Sequence, residues 1–390
     1  MKKKYYVFTI VHSLVLVAIC YSLWNLPFTL SDESGFIRKF YAVKKGLSGM
    51  QHPVSDDVLL VNVAYDKQLI DYYDERGLPA GKIDITDRSK LLELFSFLSK
   101  DTIYQYIVCD VFFDSSLKSA ADDSLFALIA TMPRIVVPMH EKGKPLPENI
   151  RHKAAYADYT TNIIEDALLK YQFLQHGQPS IPLFIWQEQT GGSFKKQWWG
   201  GYTMHNAPAT NSAILDFTAE MPDEYNEEGY KNFINLGADL LELIRLNETQ
   251  TLFKNKIILI GDLTEYDIHS TTDGQMPGVL INYNAYRMLN DRRLIVPFGL
   301  WILLFAFFCV MTILSFKKLG DLIKWKVIRN SEVIRFILSL IGFSVILLGF
   351  SILCYYFCGR FVEIFLWSGY FALLEIIINL YKLIKNGKKN

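Results

Sequence analysis

Val296-Pro-Phe-Gly-Leu-Trp-Ile-Leu-Leu-Phe-Ala-Phe-Phe-Cys-Val-Met-Thr-Ile-Leu-Ser315 carries no charge across 20 positions. At ~1.5 Å per residue such a run crosses a hydrocarbon layer ~30 Å thick, so it reads as a transmembrane helix. Two more runs follow, Phe336 to Cys358 and Phe361 to Tyr381, the latter interrupted by Glu363 and Glu375. Arg360 sits in the short turn between them, so the pair forms a helical hairpin. At the other end Lys2-Lys3-Lys4 precede an uncharged stretch from Tyr5 to Leu30. Its apolar part, residues 5–26, is longer than a secretory h-region, and no Ala-x-Ala site follows it. Ile19 stands where a lipoprotein signal needs a small residue before Cys20. The first run is therefore a retained helix.

Basic residues orient these four spans. The loop 316–335 holds Lys317, Lys318, Lys324, Lys326, Arg329 and Arg335. The tail 382–390 holds Lys382, Lys385, Lys388 and Lys389, and residues 1–4 hold three lysines. The turn on the opposite side has Arg360 alone. Both termini are expected in the cytoplasm, and residues 31–295 outside it.

Composition narrows the partners. Forty basic residues balance forty acidic ones, which argues against a nucleic-acid partner. Aromatics at 14% and a mean hydropathy of +0.16 reflect the membrane runs. Of the five cysteines only Cys109 lies in the middle region, so that region has no internal disulfide and must hold by its core. Cys109 ends an apolar stretch and reads as a packing residue.

Within 31–295, strands alternate with helices. Val58-Leu-Leu-Val-Asn-Val63, Ile103 to Cys109, Ile135-Val-Val137 and Lys256-Ile-Ile-Leu-Ile-Gly261 are short apolar, β-branched runs that read as buried strands. Helices are expected over Thr86 to Leu98, with Thr86 or Asp87 as N-cap, and over Asp122 to Ala130. Ile181 to Gln189, with Pro182 in its first turn, and Gly278 to Leu289 read as two more. Leu168 to Leu174 resembles a strand. The fold class is an α/β extracytoplasmic domain with a largely parallel sheet, plus four transmembrane α-helices.

Four blocks together resemble the CHASE-type-two extracellular sensor domain of bacterial receptors. They are Asp57-Val-Leu-Leu-Val-Asn-Val-Ala64 with Asp66, Asp110-Val-Phe-Phe-Asp114, Lys256-Ile-Ile-Leu-Ile-Gly261, and Pro277-Gly278-Val279 with Ile281, Asn284 and Ala285. They occur in the family's order and span nearly the whole external region. One helix before and three after is also the family's arrangement. Two positions depart from it: Asn62-Val63-Ala64 stands where an acidic residue is common, and Asp262 stands where a small one is. The resemblance implies a sensor in a bacterial cytoplasmic membrane, acting as a homodimer and joined to a cytoplasmic output domain. About nine residues follow the last run. The expectation is therefore relay to a separate cytoplasmic or membrane effector.

Parallel α/β sheets bind ligands beyond the carboxyl ends of their strands. Asp66, Asp110, Asp114, Asp262 and Asp267 all follow strands, with His269 close by. They form a pocket for a polar or cationic ligand, or they are helix caps and turn residues, for which Asp is preferred. Asp110 and Asp114 flank Phe112 and Phe113 and are the first pair to test. Carboxylates could also serve acid–base chemistry or an oxygen-ligand cation. No HExxH, GxSxG or phosphate loop supports an enzyme, and the seven histidines lack ligand spacing, so no metal and no cofactor are expected. An assembly component of the envelope and a cell-surface hydrolase remain alternative readings. Asn247-Glu248-Thr249 fits a glycosylation sequon.

Inside the membrane, His12 and Glu375 lie roughly 12 Å and 10 Å from the cytoplasmic boundary at helical rise. Ionisable groups there pair or face protein, so a His12–Glu375 contact between the first and last helices is expected, against neutral, separately satisfied side chains. The loop from Leu319 to Ile328 interleaves apolar and basic residues, as an inner-leaflet anchor or an effector surface would. A topology reporter fused at Asn149 is expected to be active only outside the cytoplasm; cytosolic activity would reverse the whole arrangement.

Overall fold

The computed structural model describes residues 2–29, 34–48, 56–73, 76–114, 116–141, 145–162, 166–221, 232–246, 251–317 and 332–387. Residues 318–331 of the basic loop, which include the segment from Leu319 to Ile328, and the sequon lie outside these residues.

Six strands form the central sheet: β1 (Val58–Asn62), β2 (Tyr106–Asp110), β3 (Ile135–Met139), β4 (Ala154–Tyr156), β5 (Phe233–Asn235) and β6 (Ile257–Gly261). Their order is β5-β1-β6-β2-β3-β4, and every pairing is parallel. The four apolar runs read from sequence supply β1, β2, β3 and β6. The strand expected over Ile103 to Cys109 begins only at Tyr106, and Pro138 lies inside β3. Leu168 to Leu174 forms short ladders outside the sheet, pairing Tyr171–Gln172 with Ser212–Ala213 and Leu174–Gln175 with Gln178–Pro179.

Alternation along the strands sorts the side chains into two cores. Leu59 and Val61 of β1 join Ile107, Cys109, Ile258 and Ile260 beneath α3 (Arg88–Leu98) and α4 (Asp122–Thr131). Asp87 caps α3 through the amides of Ser89 and Lys90. Val58 and Leu60 face the other way with Tyr106, Val108 and Leu259, under α5 (Ile181–Thr190) and α6 (Gly278–Asn290). That second core runs on without a break into the apolar helices.

Four helices are long and apolar enough to cross a membrane, with spans Tyr5–Trp24, Phe298–Lys317, Phe336–Cys358 and Ile364–Tyr381. They belong to α1 (Lys2–Trp24), α7 (Phe298–Lys317), α8 (Glu332–Cys358) and α9 (Ile364–Gly387). The unanticipated α2 (Ser34–Ser48) lies between α1 and the domain. Its Phe40 packs on Tyr355 and Phe361 at the outer end of the α8–α9 hairpin.

The His12–Glu375 contact does not form. His12 bonds Thr312 Oγ1 at 2.9 Å and the Tyr370 hydroxyl at 2.5 Å, while Ser339 Oγ donates to Glu375 at 3.0 Å. The first and last helices do meet, but at Tyr370. Five residues of helix separate Tyr370 from Glu375, about 7.5 Å of rise and about 140° of rotation, so Glu375 turns to α8 instead. Counting depth from the helix ends could not reveal that rotation.

Polar stitches fasten the domain to the bundle. Lys170 Nζ donates to the Leu23 and Phe28 carbonyls at the end of α1, where a cation suits the helix dipole. Arg360 donates to the carbonyls of Arg293 and Leu294, just before α7. Asp216 is buried between Lys44 of α2, at 2.7 Å, and Arg293. Removing one member of a buried ion cluster strands the others. Asp216→Ala is expected to cost about 3–5 kcal/mol, read as a lowered unfolding midpoint of the detergent-solubilised chain.

Candidate functional site

The carboxyl ends of β2, β3 and β4 converge on α6 and on the segment before it. β2 ends at Asp110, β3 is followed by His140, and β4 is followed by Asp158 and Tyr159. The hairpin strands Ile268–Thr271 and Gly274–Pro277 deliver Asp267 and His269 to the amino end of α6.

Asn282, in the second turn of α6, ties this group together. Its amide donates to Asp110 Oδ2 at 3.0 Å, and its carbonyl accepts from the Tyr171 hydroxyl at 2.8 Å. Asp267 bonds His269 Nε2 at 2.8 Å, and its backbone carbonyl accepts from Gly278 N at 2.9 Å. A Cβ on Gly278 would stand 2.4 Å from Asp267 Oδ2, so this residue must be glycine for the carboxylate to reach the helix terminus. His140 Nδ1 lies 2.7 Å from Asp158 Oδ1. Tyr159 donates to the Gly278 carbonyl at 2.8 Å, and its ring meets His269 edge-on.

Beside the cluster a cleft of about 220 Å³ opens among Phe112, Phe113, Met139, His140, Leu146 and Tyr156. Arg88, almost wholly buried, holds its wall by donating to the Phe112 carbonyl and lying 4.3 Å from the centre of the Phe113 ring. His140 borders both the cleft and the charged cluster.

The charges share protons near neutrality. Burial first, and then Asp267, push the Asp110 carboxyl up to about 7, although His140, Asn282 and His269 oppose the rise. Burial works against protonating His140, but Asp158, Asp110 and Asp267 together outweigh it and raise its pKa. The hydrogen bond from Asp267 is the main cause of the rise at His269.

Three of the six expected ligand residues, Asp110, Asp267 and His269, therefore meet. The other three go elsewhere. Asp66 accepts from Lys90 Nζ at 2.6 Å and from Gly237 N at 3.0 Å. Asp262 caps Thr264 N and Glu265 N and pairs with Lys67 at 3.3 Å. Asp114 closes a turn by accepting from Ser116 N at 2.7 Å, so of the two residues singled out for testing Asp110 lies in the cluster, where its carboxylate neighbour is Asp267. These three carry the cap and turn roles that Asp fills so often. Among the described residues, no group of three or more His, Cys, Asp or Glu is placed to hold a metal ion.

His140 comes directly after β3 as Asp110 closes β2, so the same strand-end rule points to it. Asp158 follows a strand too short to read, and nothing along the chain singles out Asn282.

A family model described as the CHASE2 domain matches residues 15–315. The chain belongs to the CHASE2 family. The matched region begins within α1 and ends within α7, so it includes the external sensor domain with the second half of the span before it and nearly all of the span after it. Searches of curated proteins and of solved structures return no match. This is a membrane protein with four spans and an extracytoplasmic CHASE2 domain, and a sensing role follows from that membership.

The proton balance sets a pH dependence. Asp110 has a folded pKa above its unfolded value, so between about 4 and 7 the folded state holds a proton that the unfolded state lacks. His140 and His269 are likewise raised, so their stabilisation is complete below the unfolded value near 6.5 and fades above it. All three act in one direction. The unfolding temperature is expected to fall between pH 5 and pH 8, and Asp110→Asn to flatten the fall; an unchanged slope in that variant would refute the assignment.

Proposed function

We propose that the CHASE2 domain of this chain binds a small polar or cationic ligand over the Asp110–Asp267 cluster and relays its presence through α6 to the membrane helices. The observation that carries this reading is Asn282. It bonds the strand-end carboxylate and lies on the same helix that leads, through Asp291 to Pro297, into α7. A cation at Asp110 competes for the hydrogen bond that now holds α6. Any shift of that helix strains the stitches at Arg293 and Leu294 and so reaches the α8–α9 turn.

The cleft supports a ligand with some apolar surface, because Phe112, Phe113 and Tyr156 line it together with His140 and Glu141. A separate effector, cytoplasmic or in the membrane, reads the shift, and the bilayer is that of a bacterial cytoplasmic membrane. A homodimer is the working assembly. The domain binds without turnover in this reading, in keeping with a sequence that carries no catalytic motif.

The test is a thermal-shift screen of the full chain in detergent with amines, basic amino acids and divalent cations. A ligand at a hundred times its Kd adds about 2.7 kcal/mol to folding stability. A binder of this class is expected to raise the unfolding temperature more at pH 8 than at pH 6, because deprotonation leaves the cluster more negative. Asp110→Asn is expected to abolish the effect. Undiminished binding by that variant would rule the site out. Stable co-purification with envelope proteins, with no ligand found, would favour an assembly role.

A further inference from the structure

A small antiparallel meander outside the central sheet carries a different surface. Its strands are Phe194–Lys196, Tyr202–Met204 and Ala207–Ala209. The third strand is fixed at the mouth of α7: Ala209 bridges to Ile295, and Val296 N donates to the Pro208 carbonyl at 2.8 Å. The meander is also bonded to α1. The Tyr21 hydroxyl donates to the Ala209 carbonyl at 2.7 Å and accepts from Tyr202 N at 3.0 Å.

These contacts set its height against the bilayer. Tyr21 lies in the last turn of the first span, and Trp301 in the first turn of the second. Their rings sit 5.3 Å apart and mark the same outer boundary. Trp199, in the loop between the first two meander strands, places its ring 5.9 Å from Tyr21 at that level. The loop is closed by Gln197 N donating to the Gly201 carbonyl and Gly200 N donating to the Gln197 carbonyl, with Gly200 at φ +88°.

Next to Trp199, Trp198 is 95% exposed. An indole has a large apolar face and one N–H donor, and both are served where headgroups meet acyl chains. Lys195 and Lys196 on the adjoining strand are exposed as well. They form no ion pair among the described residues, and their charge complements anionic headgroups. Phe298, at the start of α7, is 77% exposed as well.

We propose that the Lys195–Gly201 hairpin is a membrane-contacting device, which seats Trp198 in the outer leaflet of the bilayer that the chain itself spans and pairs Lys195 and Lys196 with anionic phospholipid headgroups. The device fixes the height of the domain over the membrane at the point where α1 and α7 enter it.

The test uses the full chain in proteoliposomes, with Trp198→Cys labelled by an environment-sensitive fluorophore. Lys100→Cys, exposed at the end of α3 on the far side of the sheet, serves as reference. The native cysteines are buried or half-buried, and labelled wild-type chain is subtracted as background. A nitroxide on the lipid headgroup is expected to quench the label at 198 about 3-fold or more above that at 100, with aqueous iodide showing the reverse order. Equal quenching at the two positions by the headgroup nitroxide would overturn the proposal. Lys195→Glu combined with Lys196→Glu is expected to reduce headgroup quenching at 198 in vesicles containing phosphatidylglycerol but not in pure phosphatidylcholine. If that charge reversal changes nothing in the anionic vesicles, the headgroup pairing is refuted.

Discussion

A sheet of parallel strands has two apolar faces, and each must be covered. In this protein the two covers differ. One face is closed by α3 and α4 into a core of the domain alone. The other is closed by α5 and α6 into a core that continues into the apolar helices. The second cover makes the sheet and the membrane bundle parts of one packed body. Close packing resists gradual deformation, which is why the proposed relay is drawn from α6 to the start of α7.

The charged cluster sits at the amino end of α6. A parallel sheet leaves the carboxyl ends of its strands pointing at the amino ends of the following helices, and there the exposed amides and the helix dipole favour anionic groups. Asp110 and Asp267 are both held at such a place, close enough for burial and mutual repulsion to keep a proton near neutral pH. The neighbouring imidazoles take up protons for the opposite reason: the carboxylates beside them attract the charge strongly enough to outweigh the burial that opposes it. The cluster is thus electrostatically unsatisfied in a way that Asp66 and Asp262, each matched by a lysine and by backbone amides, are not.

At the membrane surface hydrogen bonds to backbone carbonyls add to the apolar contact across the junction. Lys170, Arg360 and Tyr21 each reach from one part of the protein to carbonyls of another. Such bonds are directional, so they fix orientation where packing alone would permit sliding. The buried Lys44–Asp216–Arg293 group adds a charged clamp between α2 and the segment that enters α7.

Several features were legible along the chain because they depend on local pattern. Uncharged runs of membrane length, short β-branched strands and the Asp87 cap each express a physical requirement met within a few neighbouring residues. The parallel α/β class followed from their alternation. Membership of Asp110, Asp267 and His269 in one cluster was foreseeable in outline, since strand ends gather at one edge of such a sheet. Which of the six candidates would gather there was decided only in three dimensions, because strand order β5-β1-β6-β2-β3-β4 is a non-local outcome. That order puts β2 beside β3, and so Asp110 near His140, while β1 lies beyond β6 and takes Asp66 to a lysine. Helix rotation likewise sent His12 to Tyr370 and Glu375 to Ser339. Burial and charge repeat along a sequence at short range; adjacency between distant segments is fixed by packing, and only the folded chain expresses it.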